Sequence, residues 1–263
     1  MLAEGTHECM ATHRHSRQVH FTVHGPAKQG VLSEERLMVP WILLDTAKIP
    51  SERGELRLKK RGAEFSIMLG SNELMNSRLS GSEEALARLS CLRLRGRERP
   101  QILIGGLGMG FTLRAALAEL GPDAQVTVVE LVPAVVTWAR GPMAELFGGC
   151  LTDPRVSVVE GDVGGLIRSS RSAYDVILLD VDNGPEGLTR KSNDSLYDLA
   201  GLSSARAALT PGGVFAVWSS APNKAFTQRL RKAGFGVEEV GARANGTRGG
   251  GRHTIWIATK QGG

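Results

Sequence analysis

Residues 104–120, IGGLGMGFTLRAALAEL, constrain this chain more than any other segment. An apolar run leads into Gly105, Gly106, Gly108 and Gly110, and a helical pattern follows at once. Glycines let the backbone turn tightly and approach a ligand, because no Cβ stands in the way. A helix that starts there points unpaired N–H groups at whatever binds. A glycine-rich turn is weak evidence alone, but the next two strands agree with it. Gln125–Glu130 (QVTVVE) ends in a carboxylate about 20 residues beyond the glycines, where it can accept both hydroxyls of a ribose. Val156–Glu160 (VSVVE) is followed by Gly161, Asp162 and Val163. A carboxylate at Asp162 can reach the exocyclic amine of a purine over the same sheet edge. Three strand ends then serve one adenosine-type ligand. Nothing in the loop reads GxxxxGKS, which excludes a P-loop phosphate cradle.

The pattern continues as alternating strands and helices. Strands are predicted at 101–105, 125–130, 156–160, 174–180, 214–218, 236–240 and 254–259. Helices are predicted at 111–120, 132–140, 163–168, 194–209 and 223–233, the fourth closed by Pro211-Gly212-Gly213. Near-continuous apolar strands between helices mean a parallel sheet covered on both faces. The last two strands are joined by a loop, so they should pair antiparallel. Upstream, Glu55–Arg61 and Glu64–Leu69 alternate around Gly62 and read as a hairpin. Ser82 is a plausible N-cap for SEEALARLSCLRL. The fold class is therefore α/β: a mostly parallel seven-stranded sheet with an antiparallel last strand, preceded by a small N-terminal β region. The expected organisation is a disordered tail at 1–37, a β region at 38–80 and a ligand-binding domain at 81–263.

Composition excludes several classes. With 263 residues and 41% hydrophobic content the chain can bury a core without staples. No stretch approaches a membrane span of about 20 apolar residues, and the first residues lack a signal-peptide core. Three widely spaced cysteines, Cys9, Cys91 and Cys150, suit a reducing cytoplasm and exclude a disulfide framework or CxxC metal site. Five of six histidines fall in the tail at irregular spacing, so no metal site is expected. The net charge of +5 gathers in 88–99 and 243–252. Without interleaved aromatics these patches do not read as a nucleic-acid surface.

These motifs resemble the class I S-adenosylmethionine-dependent transferases, and within them the spermidine synthase group. That group's GGGDGGTLRE stands as GGLGMGFTLRA here, its ribose Glu as Glu130, its GDA or GDG as Gly161-Asp162-Val163, and its YDVIxxDxxDP as YDVILLDVDNGP. The resemblance spans roughly 38–260 and implies a Rossmann-like class I methyltransferase fold. It implies S-adenosylmethionine, or its decarboxylated form, held by Gly105, Gly106, Gly108, Gly110, Glu130, Asp162, Val163 and Asp180. Asp180 is implied as the group that accepts a proton from an attacking amine. The acceptor would meet Asp182, Asn183 and Glu84, the last at the Glu of a HEM-type motif whose histidine is Glu83 here. Met75 and Arg78 are further candidate contacts. Segment 182–196 is a lid candidate, with Arg190 and Lys191 able to meet an anionic acceptor.

Two departures bear on the reaction. The group's loop acid, which binds an aminopropyl ammonium and repels the carboxylate of intact S-adenosylmethionine, has no counterpart among Gly108, Met109 and Gly110. Asp180 and Asp182 are two apart, not three. The sequence therefore leans towards transfer of a methyl or alkyl group from intact S-adenosylmethionine to a small amine. A true aminopropyltransferase using decarboxylated S-adenosylmethionine is the alternative; a nucleic-acid methyltransferase and a silent cofactor-binding domain are further ones. The expected partner is a small-molecule acceptor in the cytoplasm. A homodimer stays open, and neither membrane nor nucleic acid is expected. A chain that starts at Met38 is expected to keep its melting temperature and its cofactor affinity; a large fall in either would place the tail on the core.

Overall fold

The computed structural model describes residues 39–50, 54–94, 96–181, 184–185 and 194–262. The tail expected at 1–37 lies outside them, as do Asp182, Asn183, Arg190 and Lys191 of the lid candidate.

The first four strands form an antiparallel meander: β1 (Ile42–Lys48), β2 (Glu55–Arg61), β3 (Glu64–Leu69) and β4 (Asn72–Asn76). The predicted hairpin is its centre. Its alternation sends Leu56, Leu58, Phe65 and Ile67 inward, and Gly62 supplies the left-handed turn residue at φ +58°. The indole N–H of Trp138 donates to Asp45 Oδ2 at 2.7 Å, tying β1 to a helix of the larger layer.

That layer starts with α1 (Gly81–Cys91). It continues β5 (Gln101–Gly105), α2 (Phe111–Glu119), β6 (Gln125–Glu130), α3 (Pro133–Arg140), α4 (Ala144–Phe147), β7 (Val156–Glu160), α5 (Val163–Ser169) and β8 (Tyr174–Leu179). It ends α6 (Asp194–Tyr197), α7 (Leu199–Ala208), β9 (Leu209–Ser219), α8 (Lys224–Lys232), β10 (Phe235–Arg243) and β11 (Arg252–Lys260). The sheet order is β10-β11-β9-β8-β5-β6-β7, with β11 antiparallel to both neighbours and the rest parallel. Strand alternation feeds two cores. Ile102, Ile104, Val126 and Val128 pack with α1, α2 and α3, while Leu103, Val129, Ile177 and Leu179 pack with α5, α7 and α8. Among the described residues no helix is long and apolar enough to cross a membrane. Cys91 and Cys150 are buried, and burial pushes their thiols up to about 12 and about 11. Neither is a thiolate nucleophile at neutral pH.

Several sequence-based boundaries shift, most by a few residues, and three of the shifts have an identifiable cause or consequence. The helix expected over 194–209 breaks into α6 and α7, because Asp198 caps a new start by accepting from Gly201 N at 2.7 Å. Strand β9 begins at Leu209 and runs through Pro211-Gly212-Gly213, where a helix stop was expected. Helix α1 begins at Gly81, so Ser82 lies inside it. Gly81 N donates to Ala244 O at 2.9 Å, and a Cβ on Gly81 would sit 2.2 Å from Gly246 N. The start of α1 is thus docked on the arginine-rich turn between β10 and β11.

Strand order reverses beside β5: β6 and β7 lie on one side, β8 and β9 on the other. A ligand crevice belongs at the carboxyl ends there. Three strand ends are locked together, with Asp180 N donating to Gly105 O at 3.0 Å and Gly106 N to Val129 O at 2.8 Å. Gly106 has φ +92°, and a Cβ on it would lie 2.3 Å from Asp180 O. Gly106→Ala should therefore cost on the order of 1–3 kcal/mol, read as a drop of several degrees in Tm. An unchanged Tm would show that the loop is not held in this conformation.

Candidate active site

The glycine loop is shaped by positive φ at Gly106, Gly108 (+50°) and Gly110 (+76°). Gly110 opens α2, and a Cβ there would strike the Phe147 ring at 2.5 Å. Gly105, the last residue of β5, is closely packed: a Cβ there would lie 3.0 Å from Leu179 and 3.1 Å from Val163. Buried Glu130 holds the loop: Oε2 accepts from Leu107 N and Oε1 from Val132 N, both at 2.9 Å. One carboxylate therefore fixes the glycine loop against the start of α3.

Gly106, Gly108, Glu130, Asp162, Val163 and Asp180 wall a single hollow over the strand ends, of about 90 Å³. Leu56, Leu74 and Met75 from the small sheet close it from above. Asp162 caps α5, accepting from Gly164 N and Gly165 N at 2.8 and 2.9 Å, and pairs with Arg168 at 3.0 Å. Its side chain stays exposed at the rim.

A second hollow of about 90 Å³ continues from the first; Leu74, Met75, Gly108 and Asp180 wall both. Its far wall is Glu83, Asn76, Met109, Phe111 and Trp218. Thr112 Oγ1, in the first turn of α2, donates to Asp180 Oδ2 at 2.5 Å. Ser82 Oγ donates to Glu83 Oε2 at 2.6 Å and lies 2.8 Å from His253 Nδ1. Serine has one proton. If it goes to Glu83, His253 must donate from Nδ1. Burial depresses the His253 pKa, which suits a neutral ring carrying its proton there. Burial, reinforced by the charge on Glu83 and opposed by the Thr112 hydrogen bond, lifts Asp180 to about 7. Burial also raises Glu83, against the hydrogen bond from Ser82. Two like charges share one enclosure, so near neutrality the pair tends to keep a proton.

The structure brings together Gly105, Gly106, Gly108, Glu130, Asp162, Val163 and Asp180. It sets Glu84 apart: its Oε1 accepts from Ser80 Oγ at 2.8 Å, and it faces an outer hollow with Arg88 and Arg114. Consecutive helix residues point about 100° apart, and the docked start of α1 turns Glu83, not Glu84, towards Asp180. Met75 walls both hollows, whereas Arg78 is paired with Glu73 at 2.9 Å. Sequence reasoning missed Ser82, Glu83, Thr112 and His253 as site residues. The available signals were the hydroxyl just after the glycine loop and a lone histidine far from the other five.

The sequence pattern of the spermine/spermidine synthase domain matches residues 83–231, more than half of the chain. Polyamine aminopropyltransferase 1 of Streptomyces coelicolor is 36% identical over 124 residues, covering 46% of this chain and 22% of that protein. The polyamine aminopropyltransferase of Mycobacterium tuberculosis is 31% identical over 146 residues, covering 52% of this chain and 27% of that protein. The chain spans about a quarter of the length of these relatives. The crystal structure of spermidine synthase from Thermotoga maritima shares the fold, with a TM-score of 0.67 at 19% identity over 83% of this chain and 72% of that one.

The acid pair gives stability a pH signature. Asp180 binds its proton more tightly in the folded protein than in the unfolded chain. Its contribution is therefore most favourable at low pH, and is lost as pH rises from 3.8 towards about 7. Asp180→Asn keeps an acceptor for Thr112 and removes the charge. Its Tm should match the parent below about pH 3.8, pull ahead as pH rises through 5, and exceed it by several degrees at pH 8. A variant less stable at pH 8 would contradict the raised pKa.

Proposed function

Because the chain belongs to the spermine/spermidine synthase domain family, we propose that it transfers an aminopropyl group from decarboxylated S-adenosylmethionine to a small aliphatic amine. The polyamine aminopropyltransferase relatives favour this reading over methyl transfer from intact S-adenosylmethionine, to which the acid-free glycine loop leans. The observation that carries it is Asp180. It stands at the seam of the two hollows, one suited to an adenosine and one walled by acids.

In this reading Glu130 accepts the ribose hydroxyls and Asp162 the adenine amine. The apolar cover of Leu56, Leu74 and Met75 keeps water from the sulfonium. Asp180, with its pKa lifted to about 7, is matched to act as a base near neutral pH. It holds the acceptor nitrogen and takes its proton as the N–C bond forms. The C–S bond breaks in the same step, and its electron pair leaves with sulfur as a neutral thioether. Sulfonium is a good leaving group, so most of the rate comes from alignment of nitrogen, carbon and sulfur.

Asp180→Asn should lower turnover about 10²–10⁴-fold and leave methylthioadenosine affinity within about threefold, under roughly 0.7 kcal/mol. Glu130→Ala should weaken that nucleoside by about 10–150-fold, a loss of about 1.5–3 kcal/mol. The decisive assay offers both donors with a panel of aliphatic amines and identifies products by mass. Aminopropylated amine with methylthioadenosine supports the reading. Methylated amine with S-adenosylhomocysteine contradicts it.

A further inference from the structure

The glycine loop carries no acid, yet the hollow beside it holds two. We propose that Glu83 selects the donor: its carboxylate binds the terminal ammonium of the aminopropyl arm and repels the carboxylate that intact S-adenosylmethionine carries on the same arm. This rests on the reading of the two hollows as one donor site.

Position is the first support. The adenosine hollow and the acid hollow share Gly108 and Asp180. Met109, Phe111 and Glu83 line that second hollow, the space open to an arm that leaves sulfur over the seam. The apolar and aromatic walls of Met109, Phe111 and Trp218 suit methylenes.

Charge is the second. The titratable groups facing Glu83 are Glu84 on its own helix, Asp180 across the hollow and, through Ser82, a neutral His253. Among the described residues neither Glu83 nor Asp180 has an ion pair. An acid partly withdrawn from water without a cation is costly, and this one is also held in place. Ser82, fully buried, fixes Oε2 and is itself fixed by His253. Preorganisation of that kind suits a group that waits for a ligand.

The third support is Trp218. It is nine-tenths buried in the same wall, and its indole N–H has no hydrogen-bond partner among the described residues. That leaves one neutral donor in the residues that line the hollow. A ligand carboxylate would find that single neutral donor against two acids, and a charge outweighs a neutral N–H. An ammonium meets both acids as counter-ions, with a water free to take the indole proton.

The test is calorimetric titration at pH 8 of three ligands: decarboxylated S-adenosylmethionine, intact S-adenosylmethionine and methylthioadenosine, which has no charged arm. The parent protein should prefer the decarboxylated form at least tenfold. Glu83→Gln should weaken that form about 10–100-fold, bind the intact form no worse, and leave methylthioadenosine within about twofold. Glu83→Asp, which keeps the charge, should keep the preference at reduced affinity. Equal losses for all three ligands, or no change in preference, would overturn the assignment while leaving aminopropyl transfer by the parent intact. A parent protein that prefers the intact form and methylates amines would overturn the functional reading and this inference together.

Discussion

The hydrogen-bonded clamp of Glu130 is the interaction on which the rest of the site depends. A glycine loop with three residues at positive φ has little conformational preference of its own. It holds its shape because the Leu107 N–H ends on a buried carboxylate that also takes the Val132 N–H. That carboxylate is placed by β6, whose register against β5 runs unbroken from Gln101 to Gly105. Sheet register thus sets the loop, the loop sets the start of α2, and α2 carries Thr112 to Asp180. A break anywhere along this line would misplace the proposed base.

The second constraint is electrostatic. Asp180 closes a buried strand, and α1 brings Glu83 to the same hollow with its start held by the Gly81 N–H bond to Ala244 O, a close approach to the turn at Gly246 that only a glycine allows. The arginine-rich segment 243–252, which from sequence alone is simply basic, thereby helps to aim an acid. Bringing two carboxylates together costs stability at neutral pH. Such a cost is typical of sites shaped for a ligand and not for the empty fold.

Much of this was legible in the sequence, for physical reasons. Strands β5, β6 and β7 were read to the residue, because short valine- and isoleucine-rich runs end abruptly in glycine or charge; β5 and β6 are buried, while β7 is a largely exposed edge strand whose sequence still carries the pattern. The meander was read only as a hairpin: β1 lacks alternation, with Ile42 and Leu43 more than half exposed. The break at Asp198 was missed because a capping aspartate inside a helical pattern looks like a polar surface residue. Glu84 and Glu83 could not be told apart, since their separation depends on where α1 starts. That start is fixed by a contact with residues about 160 positions away. The acid pair itself joins α1 to β8, and no local pattern reports such a meeting.

The central claim is that an acid pair sharing a proton waits for a cationic arm. Its most direct test is the proton count on binding. Decarboxylated S-adenosylmethionine would be titrated into the protein at pH 7 in two buffers of different ionisation enthalpy. A cation seated between Glu83 and Asp180 lowers both pKa values, so binding should release protons, on the order of one per site. A binding heat independent of buffer, or proton uptake, would contradict the account.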